Sequence, residues 1–83
     1  MQITLKLYAS LGSYLPANAG NNRIQLDIDD GTTVADVIQR LKIPAEQAHL
    51  VLHNGIYVAP AIRAQTTFKA GQTLAIWPPV AGG

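Results

Sequence analysis

An α+β fold of two layers, one main helix packed on a mixed sheet of about five strands, is predicted by three observations. Two segments of strict apolar/polar alternation open the chain. One segment with helical spacing follows them. Short apolar runs closed by turn residues then lead to a last alternating segment. At 83 residues the chain is one domain.

"QITLKLY" sets Ile3, Leu5 and Leu7 on one face and Gln2, Thr4, Lys6 and Tyr8 on the other, the pattern of a half-buried strand. Residues 9–22 are rich in Gly, Pro, Asn and Ser and predict a loop, with one helical turn near residues 10–15. "RIQLDID" alternates again, with Ile24, Leu26 and Ile28 inward, and pairs with the first strand as an antiparallel hairpin. The period then changes. Val34, Val37, Ile38 and Leu41 form one helical stripe; Thr33 and Asp36 make a capping box with Asp in place of Glu; Pro44 is expected to end the helix. "HLVLHNG" is a strand closed by the turn pair Asn54-Gly55, and "IYVA" a brief return strand. Residues 60–68 are irregular, Gly71 marks a turn, and "QTLAIW" is the last strand, with Leu74 and Ile76 inward. Pattern leaves the strand order open. If the first and last strands lie side by side at the centre, the arrangement is the β-grasp of ubiquitin.

Composition excludes several classes. There is no cysteine, hence no disulfide, thiolate nucleophile or Cys-based metal site. Six Lys/Arg are scattered against five Asp/Glu, a net charge of +1 that gives no footprint for nucleic acid. No apolar run approaches a membrane span, and "MQITLKLY" has no signal-peptide design, so a cytoplasmic protein without membrane contact is expected. His49 and His53 share a strand face but have no third metal ligand; they are read as surface or sheet-face histidines. Asp29-Asp30-Gly31 is a polar turn feeding the helix. Ser10 and Ser13 lack a nucleophile setting, and the glycines make no phosphate loop. The chain is not expected to be an enzyme.

The end of the chain, "WPPVAGG", is the candidate for a functional segment. Pro78-Pro79 holds the backbone extended and stops the last strand. The expected division is a globular part, 1–77, and an extended, flexible Gly-Gly tail, 78–83, with a reach of at most about 20 Å. Ala81, Gly82 and Gly83 have so little bulk that they can thread a narrow channel. A frayed terminus is the alternative that Gly-Gly alone leaves open. By parity Trp77 and Tyr8 both point outward, and on neighbouring strands they form an aromatic patch at the tail's root. Alternatively Trp77 folds over the sheet edge or onto Pro78. Arg63 and Lys69 are candidates for a polar rim around the patch.

"GQTLAIWPPVAGG" resembles the carboxy-terminal signature of the MoaD/ThiS family of ubiquitin-like sulfur carriers, and "PPVAGG" is most similar to the small subunit of molybdopterin synthase. "LYASL", "TTVADVIQRL" and "NG" resemble the same family, so the likeness spans most of the chain. It implies a β-grasp fold and a carrier that binds no cofactor. An adenylating enzyme related to ubiquitin activators joins the carboxylate of Gly83 to AMP, using ATP with magnesium. Sulfur from a persulfide protein then displaces AMP and leaves a thiocarboxylate. A larger synthase subunit takes the sulfur into molybdopterin, or another acceptor enzyme takes it into a different product. The resemblance assigns the chemistry to Gly83, with Gly82 beside it; strand parity and the thin, rigid tail make Tyr8, Trp77, Pro78, Pro79, Val80 and Ala81 the candidates for partner contact. Gln72 departs from the acidic residue common after the last turn's glycine, which weakens any ion pair with an activator. Other acceptors (thiamine thiazole, a sulfur amino acid, a tungsten-type pterin), a ubiquitin-like modifier, and a β-grasp binding module remain as alternatives.

Overall fold

The computed structural model describes residues 1–17 and 19–80. Strand β1 (Gln2–Leu7) is followed by a 3-10 helix (Ala9–Tyr14), β2 (Arg23–Asp27) and helix α1 (Val34–Arg40). A 3-10 turn (Ala45–Gln47), β3 (Leu50–His53), β4 (Ile56–Tyr57), a second turn (Pro60–Ile62) and β5 (Thr73–Trp77) complete the order. The sheet order is β2-β1-β5-β3-β4. β1 and β5 are the parallel pair, with Leu5 opposite Leu74 and Leu7 opposite Ile76; the other pairings are antiparallel. The first and last strands are therefore adjacent at the sheet centre, and the fold is the ubiquitin-like β-grasp.

The alternation in β1 explains the core. Ile3, Leu5 and Leu7 are fully buried with Leu74, Ile76 and Val51 from the neighbouring strands and Val34 and Val37 from α1. Burying each such side chain contributes about 1.5–3 kcal/mol. Ile28 is buried as expected, but Ile24 and Leu26 are only partly buried, because β2 is an edge strand whose inner face α1 covers incompletely. Two tight turns carry left-handed residues at both central positions, Asn21-Asn22 (φ 55° and 60°) and Asn54-Gly55 (φ 51° and 88°). That geometry matches the twist of the strands it joins and suits Asn and Gly.

The start of α1 follows the sequence. Thr33 Oγ1 accepts from the Asp36 backbone N–H at 3.1 Å, and the Thr33 backbone N–H donates to Asp36 Oδ2 at 3.0 Å. Its end does not. Pro44 was expected to stop the helix, yet α1 ends at Arg40, before the proline can act. Lys42 takes a left-handed conformation (φ 62°). Its N–H donates to Gln39 O at 3.0 Å and the Ile43 N–H to Ile38 O at 3.2 Å, the two bonds of a Schellman cap. Ile43 and Ile38, both buried, supply the accompanying apolar contact. Among the described residues no helix is long and apolar enough to cross a membrane.

Two stability predictions follow from the ends of α1. Thr33→Ala should cost about 1 kcal/mol. Lys42→Gly should gain about 0.5–1 kcal/mol by relieving the left-handed backbone. Urea unfolding reads both, and an unchanged midpoint for Lys42→Gly would show that this conformation costs nothing here.

Candidate functional site

The carboxyl end of β5 is held from both sides. The Tyr8 N–H donates to Ile76 O at 3.1 Å, and the His49 N–H donates to Trp77 O at 3.1 Å. Register places Leu50 opposite Trp77 on the β3 side. Pro78 and Pro79 follow without backbone donors, so the ladder stops at Trp77. The root of the tail thus leaves the middle of the sheet.

Tyr8 and Trp77 stack there, ring centroids 4.3 Å apart and planes 2° from parallel. Both lie on the sheet face away from α1, since their strand neighbours Leu7 and Ile76 are fully buried in the core. Trp77 does not fold over a sheet edge; it stands on a central strand, half-buried, one face covered by Tyr8. Ala9, immediately after Tyr8, is left-handed (φ 52°), a strained state for a residue with a Cβ. It turns the chain from β1 into the 3-10 helix beside Trp77. Together these elements border a cavity of about 440 Å³, lined by Ala9, Ser10, His49, Leu50, Trp77 and the 78–80 segment.

Of the residues assigned from sequence, Tyr8, Trp77, Pro78, Pro79 and Val80 come together at this root, with Val80 strongly exposed. Ala81, Gly82 and Gly83 lie outside the described residues. Arg63 and Lys69 are not its rim. Arg63 is buried beside α1, and Lys69 belongs to the turn before β5, at the other end of that strand. The departure at Gln72 has a local use: its Oε1 accepts from the Lys69 N–H at 2.8 Å and closes that turn. The two histidines do not both lie on the strand. His49 precedes β3 and is exposed at the root, whereas His53 is half-buried against Phe68, ring centroids 5.1 Å apart. Ser13 donates its hydroxyl to Ser10 O at 3.0 Å. Among the described residues no group of three His, Cys, Asp or Glu is placed to hold a metal. Ala9, Ser10, His49 and Leu50 were not foreseen as part of this site. The β3–β5 register brings Leu50 there, and only the turn-forming "ASLG" hinted at the shelf beside it.

A small β-grasp domain whose terminal strand is central, with an aromatic pair at its exit, defines a protein of the ubiquitin-like class. The ThiS family model matches residues 16–83, and the chain belongs to that family. Members are small carrier proteins and not catalysts. Among solved structures, SAMP1 from Haloferax volcanii is 27% identical, with 100% of both chains covered and a TM-score of 0.70. A putative molybdopterin converting factor subunit 1 from Pyrococcus furiosus is 20% identical over 95% of this chain and 98% of its own, with a TM-score of 0.68. A chain in the complex of subunits 1 and 2 of the molybdopterin-converting factor from Helicobacter pylori is 14% identical over 100% of both, with a TM-score of 0.61. The last two share the fold. No curated protein matches the sequence.

The stack should be measurable by a double-mutant cycle. Tyr8→Leu and Trp77→Leu are expected to couple by about 0.5–1.5 kcal/mol in urea unfolding. Additive losses would mean that the two rings only share a surface.

Proposed function

We propose that this protein is a sulfur carrier for molybdopterin biosynthesis, working through the carboxylate of Gly83. The observation that carries the carrier reading is the extent of the family match, which runs through Gly83 and so includes the thin tail; the molybdopterin acceptor rests on the likeness of "PPVAGG" to the synthase small subunit. The carboxylate, ionised at neutral pH, is a poor electrophile until activated. An adenylating partner using ATP with magnesium would join it to AMP, with pyrophosphate leaving. A persulfide sulfur on a donor protein would then form a bond to the acyl carbon as the bond to AMP breaks. A second donor thiol would take the donor's own sulfur into a disulfide, freeing the thiocarboxylate. The chain's part is presentation. The Tyr8–Trp77 stack and Pro78-Pro79 fix where the tail starts, and Gly82 lets a partner's channel close around it. The larger synthase subunit is supported by the two-subunit assembly named for the Helicobacter pylori relative.

A second reading, a modifier joined through Gly83 to lysines of other proteins, is favoured by one observation. The 27% identity to SAMP1, a small archaeal modifier protein, exceeds that to either converting-factor subunit.

Incubation with host extract, ATP and a sulfur source should give a mass gain of one oxygen exchanged for one sulfur, localised to the Gly82–Gly83 end. Deleting Gly83, or adding residues after it, should abolish the gain and leave the melting curve unchanged. A ladder of covalent adducts without the sulfur exchange would favour the modifier. Normal activity with an extended tail would remove both readings.

A further inference from the structure

Arg63 is the one buried charged side chain among the described residues, 8% exposed. Its surroundings do not compensate its charge. Nε donates to Val58 O at 3.5 Å, near the limit of a useful hydrogen bond, and Nη2 has no partner among the described residues. The one ion pair among the described residues is elsewhere, between the Met1 ammonium and Asp27. Burial pushes the guanidinium below its ordinary value, with Tyr57 opposing the shift, and an arginine stays charged. A buried cation without a counter-charge is costly, and most proteins avoid it.

Arg63 also borders a cleft of about 390 Å³ between α1 and the Pro60–Ile62 turn, which shares no lining residue with the cavity at the tail's root. The other walls are Ala35, Ile38, Ile43, Ala45, Pro60 and Ala64, with the Gln39 amide as a further polar group. The amides at the start of α1 do not add to the site. The Val34 N–H donates to Thr66 O at 2.8 Å, the Ala35 N–H to Arg63 O at 3.0 Å, and the Asp36 N–H to Thr33 Oγ1. Attraction for an anion therefore comes from one guanidinium in an apolar setting. A phosphate, with more charge and more acceptors, would need several donors. A monoanion on a hydrocarbon frame fits both the single cation and the walls. The volume lies at the small end of the range for small-molecule sites.

We propose that this cleft binds a small organic carboxylate, with its charged end on Arg63 and its hydrocarbon body against Ile38, Ile43 and Pro60. Among the described residues the cleft shares no wall with the root of the tail.

The test is a titration of the full chain with 4-methylpentanoate, followed by NMR at the Arg63 Nε–Hε signal. A saturable shift is expected, with a dissociation constant of about 1 mM. The neutral 4-methylpentanamide should bind at least tenfold more weakly, and inorganic phosphate should give no saturable shift. Ala64→Trp, at an exposed wall, should fill the cleft and weaken binding tenfold or more while the Arg63 signal persists. Arg63→Gln should remove the preference for acid over amide. No saturation, equal binding of acid and amide, or saturation by phosphate would each overturn the proposal in the unmutated protein, whatever the variants do.

Discussion

The parallel pairing of β1 with β5 is the constraint on which the rest of the structure depends. It joins residues some seventy positions apart, so it carries the loop-closure entropy of most of the chain between them. It also puts Leu5 beside Leu74 and Leu7 beside Ile76, all fully buried, at the centre of the sheet. The same register carries one step further to set Tyr8 against Trp77 on the other face. Core and tail root are thus two faces of one pairing. A change that weakened it would damage stability and presentation together.

The rest of the fold supplies what that pairing lacks. A parallel pair cannot be closed by a tight turn, and here the long connection contains α1, β3 and β4. α1 is short, so its ends matter more than its propensity. Its first amides are taken by Thr33 and by carbonyls of the 63–66 segment, and its last carbonyls by the Schellman cap at Lys42. The 63–66 segment does two things at once: it caps α1 through its backbone and brings the Arg63 side chain inside.

What was legible in the sequence was local. Alternation in β1, the Thr33/Asp36 box and the Asn54-Gly55 turn each depend on residues a few positions apart, and each lies where the pattern put it. Parity alone pointed Tyr8 and Trp77 the same way, and the central pairing made them neighbours. What was missed depends on distant partners or on unusual backbone. Leu50 reaches the site through its register with Trp77, which no local pattern encodes. Lys42 ends α1 in a conformation that glycine or asparagine usually signals, so Pro44 drew attention two residues too late. Arg63 sits in an irregular stretch, where residue type suggests the surface, but the loop's bonds to α1 turn it inward.

The placement of β5 also has a mechanical consequence. A partner that grips the tail pulls along the axis of a strand bonded on both sides, by β1 and by β3. Such a load shears two rows of hydrogen bonds together, instead of peeling them one at a time as it would from an edge strand. The last bonds to bear it first, Tyr8 N–H to Ile76 O and His49 N–H to Trp77 O, lie on opposite sides of β5 and share the force. The domain is anchored like a rope spliced into the middle of a mat: the end can be drawn through a narrow passage without unravelling what it is tied to.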